Sequence, residues 1–183
     1  MAYKNKILRN SITGQDIRFL QTAADTNGEL LEMESTWNSK TGQPPPHFHP
    51  KQAEDFTVLE GELHAIINGE LKIYKKGDQF HVPAGTIHSM WNAGVQKAMV
   101  NWKIRPALIT ENFFETTTGL ANDGKTNGKG VPNILQASLL LTHFDSVLRL
   151  TKPSKPIQKI VFGTLAPIAR LFGYKPVYKK YVD

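Results

Sequence analysis

Three of the six histidines and one glutamate stand in two short clusters at fixed spacings, and they constrain the chain more than any other feature. The first cluster reads His47-Phe-His49-Pro-Lys-Gln-Ala-Glu54 and runs on to Gly61. The second opens at Gly77, continues Pro83-Ala84-Gly85-Thr86-Ile87-His88, and ends at Asn92. On a strand, His47 and His49 would present both rings to one face, because side chains alternate with period two. Pro50 has no amide hydrogen and breaks the ladder behind them. Glu54 opens an apolar run, Phe56-Thr57-Val58-Leu59, that reads as the next strand and closes in the tight turn Glu60-Gly61-Glu62. Pro83-Ala84-Gly85 is turn chemistry between two short strands, with His88 on the second. Neutral imidazoles and a carboxylate converging from different strands suit a divalent metal, with one or two positions left for water or substrate.

The rest of the first hundred residues reads as more strands. Residues 6–22 alternate around Thr13-Gly14-Gln15, the pattern of a hairpin ribbon. Asn27-Gly28 is a tight turn, and Glu29 to Trp37 alternates as a half-buried strand. Asn68-Gly69 joins Glu62–Ile67 to Glu70–Tyr74, a strong hairpin signal. Further strands are expected at Gln79–Val82, Thr86–Trp91 and Val95–Ile104, the last with either Asn101 or Trp102 turned inward. About eight to ten short strands with no helix among them predict a mainly β barrel or jelly roll.

After Pro106 the pattern becomes helical, so the expected organisation is a barrel over residues 1–106 and a helical extension over 107–183. A short helix starts near Thr110, and Pro132 suits the first turn of another running to about Leu150. Beyond Pro153 and Pro156 a third segment places Ile157, Ile160, Val161, Thr164, Leu165, Ile168, Leu171 and Phe172 on one face. Pro167 is expected to kink or restart it and Gly173 to end it.

Charge separates the two halves. Residues 1–150 hold 15 basic and 15 acidic side chains; residues 151–183 hold seven basic ones and a single acid, Asp183. The net charge of +6 therefore belongs to a tail, and nucleic acid is not an expected partner. The tail's apolar stripe is expected to dock on the barrel or on a second subunit, with contact to a membrane surface as the competing reading. The chain contains no cysteine, which excludes disulfides and thiolate metal sites. The N-terminus lacks the apolar stretch of a secretory signal, and no run approaches the roughly 18 apolar residues of a membrane span, so a cytoplasmic protein is the expectation.

The two clusters resemble the paired motifs of the cupin superfamily. His47, His49, Glu54 and Gly61 match the H-x-H-x4-E-x6-G part of the first motif. Gly77, Pro83, Gly85, His88 and Asn92 match the whole of the second. Gly42 stands one residue too close to His47 for the leading glycine of the first motif. The resemblance spans residues 42–92 and implies a cupin jelly-roll barrel, with the helical extension outside it. It also implies one divalent transition metal (Fe, Mn, Ni, Co or Zn) on His47, His49, Glu54 and His88, and a homodimer closed by the N-terminal ribbon.

If those four residues point inward, period two turns Phe56 and Val58 to the face of Glu54, and Thr86 and Met90 to that of His88. These four would line a mostly apolar cavity for a small organic ligand with one or two oxygen donors. The expected function is a metal-binding cupin acting as a dioxygenase on a small apolar or aromatic oxygen-bearing substrate, with Glu54 as a catalytic base suggested by flavonol-cleaving members. A non-catalytic binding or sensing protein is the alternative. A sugar isomerase or epimerase is weaker, because the cavity lacks a surplus of charged groups for a phosphosugar.

Overall fold

The computed structural model describes residues 2–182. Ten strands precede the first helix: β1 (Ile7–Asn10), β2 (Gln15–Gln21), β3 (Leu31–Trp37), β4 (His47–Phe48), β5 (Ala53–Glu60), β6 (Glu62–Ile67), β7 (Glu70–Lys75), β8 (Gln79–Val82), β9 (His88–Trp91) and β10 (Ala98–Arg105). Then come α1 (Thr110–Asn122), α2 (Ile134–His143), β11 (Arg149–Leu150), α3 (Lys155–Leu171) and α4 (Lys179–Val182). The strands form two antiparallel sheets, ordered β1-β2-β3-β10-β5-β8 and β11-β4-β9-β6-β7. The chain is thus mainly β, a jelly roll with helices after it.

Alternation builds the core. In β3 the buried set is Leu31, Met33, Ser35 and Trp37, and in β10 it is Ala98, Val100, Trp102 and Ile104. The inward residue left open by the sequence is therefore Trp102. Phe56 and Val58 join the same cluster, with Phe56 stacked between Phe80 and Trp102. The ribbon β1–β2 and the Asn68-Gly69 hairpin fold as their patterns predict. Gly61 is needed where it stands: it sits at φ +68°, and a Cβ there would lie 2.2 Å from the Lys97 carbonyl oxygen.

Two expectations about the extension are corrected. The second helix does not run to Leu150; α2 starts from its Asn133 cap and ends at His143. The chain then turns and forms β11, pairing Arg149 with Phe48 and Leu150 with His47. The propensity of a short apolar stretch could not show this, because the strand exists only where the open edge of β4 offers it hydrogen bonds. The second correction concerns α3. Its inner face is Ala166 and Ala169, packed with Leu139 of α2, while Ile157, Ile160, Ile168, Leu171 and Phe172 face outward. Small alanines let two helices approach closely, and the bulky stripe would hold them apart. Pro167 lies inside α3 and does not restart it.

Gln52, just before β5, anchors the start of the extension. Its buried side-chain amide donates to the carbonyls of Pro106 and Ala107 and to the Thr110 hydroxyl. Farther on, Leu120, Leu140, Phe144 and Val147 form a second apolar cluster, capped by Val177, Tyr178 and Tyr181. No helix among the described residues is long and apolar enough to cross a membrane.

Candidate metal centre

The four motif residues come from both sheets. His47 lies on β4 in register with His88 on β9. His49 sits one residue after β4 ends, where Gly85 in the turn before β9 donates its backbone N–H to the His49 carbonyl at 2.8 Å. Glu54 reaches in from β5 of the opposite sheet, between Val82 and Ile104. The imidazoles of His47, His49 and His88 each offer a nitrogen within 4.8 Å of the others, so they could hold a metal ion. Glu54 closes the group, with its two oxygens 3.3 Å from His49 Nε2 and 3.0 Å from His88 Nε2.

Backbone carbonyls set the tautomers. Nδ1 of His47 faces the Pro45 carbonyl at 3.0 Å, that of His88 faces Thr86 at 2.9 Å, and that of His49 faces Val147 at 2.5 Å. A carbonyl can only accept, so Nδ1 carries the proton in each neutral ring and Nε2 keeps its lone pair. With the rings neutral, His49 Nε2, His88 Nε2 and Glu54 Oε2 are buried without a hydrogen-bond partner among the described residues, although the last two lie only 3.0 Å apart. Three buried lone-pair atoms turned on one another are costly unless a cation lies among them. The set is nitrogen and oxygen without sulfur, which fits a divalent transition metal. Trp102 Nε1 donates to Glu54 Oε1 at 3.1 Å and fixes the carboxylate.

Titration reflects burial and this crowding. His47 is pulled down to about 4, first by burial and then by the neighbouring His88 and His49 rings. His49 is also lowered, chiefly by burial. Burial pushes Glu54 up, but the surrounding imidazoles outweigh it and keep the carboxyl below its ordinary range. Burial works against a charged His88 too, yet the adjacent Glu54 carboxylate prevails and raises it. His88 is therefore the first of these rings to take a proton as pH falls. Binding a metal must displace that proton. Metal affinity should be level above the His88 pKa and drop about tenfold per pH unit below it. Calorimetric titration between about pH 5 and 8 checks this; an affinity unchanged over that range would contradict it.

The other sequence candidates fall in different places. Phe56 and Val58 are buried in the barrel core on the Glu54 face. Met90 is half-buried on β9, and Thr86 lies in the turn before it, where its carbonyl orients His88. His81 is exposed on the outer face, bonded to Asp55, which also accepts from Arg105. Asn92 of the second motif is a fastener: its amide donates to the Asn38 and Gln96 carbonyls. Val147 was not legible, since nothing local links a carbonyl to a ring 98 positions earlier.

Comparison with known proteins agrees with this geometry. The family model described as the cupin domain matches residues 34–102. A protein of Hypocrea virens named probable oxidoreductase virH is 30% identical over 152 residues, covering 75% of this chain and 67% of its own length. Germin-like protein 12-2 of Oryza sativa subsp. japonica is 42% identical over 69 residues, 32% of this chain and 30% of that protein. The chain thus spans two thirds of virH but under a third of that germin-like relative. Among solved structures, an RmlC-like cupin from Shewanella frigidimarina superposes with a TM-score of 0.50 at 21% identity, over 61% of this chain and 92% of that one. The match across the motif strands, the relative that aligns with the chain well beyond them and the shared jelly roll lead to one conclusion: this chain belongs to the cupin family.

Proposed function

We propose that the protein is a metal-dependent oxidoreductase of the dioxygenase type, acting on a small apolar or aromatic substrate that carries an oxygen donor. The observation behind it is the convergence of the His47, His49 and His88 rings on the Glu54 carboxylate, with Nε2 of His49 and His88 and Glu54 Oε2 buried and unpartnered. A divalent metal held by these four residues would supply Lewis acidity and orient the substrate oxygen. The residues do the remainder. Trp102 holds Glu54 Oε1, so if the carboxylate left the metal its Oε2 would be the oxygen free to accept a proton from an enol or phenol hydroxyl. Phe56, Val58 and Trp102 make the surroundings of the carboxylate apolar, so the ionised form of a bound substrate is shielded from water. The name of virH as an oxidoreductase supports the same reaction class.

The test is oxygen consumption by protein loaded with Fe, Mn, Co or Ni, against a panel of enols, catechols and diketones. Uptake with at least one pair is expected, with a loss of about a hundredfold or more in Glu54→Gln, the scale of a removed general base. Absence of uptake across the whole panel, with metal content verified, would sink the reading. A ligand retained through purification without turnover would favour a binding or sensing role instead.

A further inference from the structure

Among the described residues nothing covers the outward face of α3. Ile160, Leu171 and Phe172 are 71%, 87% and 73% exposed, and Ile157 and Ile168 are exposed beside them. Ile157 and Ile160, and Ile168 and Leu171, are each three apart, and Thr164 lies midway between the two pairs, so with Phe172 at the C-cap they share one side of the helix. Exposed apolar groups scattered singly need no explanation, but five large ones on one side of a helix mark a surface that meets something. The helix is anchored from the other side by Ala166 and Ala169, so the stripe is not part of the core.

Charge identifies the occupant. α3 contains no acidic residue, and Lys155, Lys159 and Arg170 on it are exposed, as are Lys152 before it and Lys175 after it. Among the described residues no salt bridge engages Lys152, Lys155, Lys159 or Arg170. Lys152, Lys155 and Lys159 also crowd the N-terminal end of the helix, where the backbone dipole already places positive charge. A second copy of the chain would set this cationic helix against an identical one with no acid to answer it. Nucleic acid would answer the charge and leave the isoleucines and Leu171 in water. A bilayer with anionic headgroups answers both, since an interfacial helix buries its apolar stripe at the acyl boundary while lysines reach the headgroups.

We propose that α3 docks the protein onto anionic lipid bilayers, lying in the interface with Ile157, Ile160, Ile168, Leu171 and Phe172 inserted and its basic residues on the headgroups. The helix is joined by residues 151–154 to β11, which pairs with the His47 strand, so the docked segment is tethered to that edge of the barrel. The attachment is peripheral and reversible, and it weakens with salt.

The experiment is co-sedimentation of the full chain with phosphatidylglycerol vesicles and, in parallel, with phosphatidylcholine vesicles. Binding to the first and not the second is expected. Lys155→Gln with Lys159→Gln should lower the partition about thirtyfold, as two surface charges lost from an anionic bilayer do. Ile160→Ser with Leu171→Ser should abolish it; both residues are exposed, so the fold is kept and circular dichroism verifies this. A parent protein that stays in the supernatant with phosphatidylglycerol overturns the proposal, as does equal binding by either double variant. A dimer in light scattering that the serine pair dissociates, without vesicle binding by the parent, assigns the stripe to a second copy and overturns it too.

Discussion

Replacing both His47 and His49 by alanine is expected to abolish tight metal binding and leave the barrel folded. The two substitutions remove two of the three imidazoles that lie within reach of one ion. His88 and Glu54 would remain, and two donors do not make a closed site for a divalent transition metal. The fold stands on other contacts: Phe19, Leu31, Met33, Phe56, Leu63, Val100 and Ile104 are buried in one cluster that owes nothing to these rings. A bound metal adds stability only by linkage, about 2.7 kcal/mol at a hundredfold excess over Kd. For a chain of this size that is a rise of about 5–10 °C in Tm. The parent should show the rise on adding metal and the double variant should not, while their metal-free melting curves stay close. Elemental analysis giving equal metal content in the two proteins would remove His47 and His49 from the site.

Two truncations should behave differently although they end only six residues apart. A chain ending at Phe144 loses the Val147 carbonyl that orients His49 and loses β11, which pairs with the His47 strand. A chain ending at Leu150 keeps both and loses only α3, α4 and the segments that join them. Partners that orient a metal-ligating imidazole typically contribute 10–100-fold to affinity. The shorter chain is therefore expected to bind metal about 10–100-fold more weakly than the longer one. Both lose the cover that Val177, Tyr178 and Tyr181 give to Leu120 and Leu140, so reduced solubility is common to the two and does not confound the difference. Circular dichroism identifies the folded fraction on which affinity is compared. Equal affinities would mean that residues 145–150 brace the barrel edge without tuning the ring.

Wherever the relevant physics is local, the chain could be read directly. Alternation placed β2, β3, β5 and β10, and for β3 and β5 also the faces they bury, because period two is a property of each strand alone. The Asn27-Gly28 and Asn68-Gly69 turns arise from the left-handed backbone that both pairs adopt. The spacing of His47, His49, Glu54 and His88 pointed to a common centre, and the folded chain brings the four together. Fold and candidate site were legible to that extent.

Local pattern alone was enough for the strand pattern, the family resemblance and the identity of the converging side chains. Tertiary structure decided which of Asn101 and Trp102 points inward, since the register of β10 against β5 is a long-range match. It decided that His49 is oriented by a carbonyl 98 positions away and that residues 149–150 become a strand at the edge of β4. Backbone carbonyls are the same at every residue, so no sequence pattern marks the one that will meet an imidazole. Tertiary structure also chose the face of α3. The helix has two apolar faces, one of alanines and one of large side chains. Hydrophobicity alone favours burying the large one, but close approach to α2 requires the small one, and contact distance between neighbouring helices is a quantity that only the folded chain possesses.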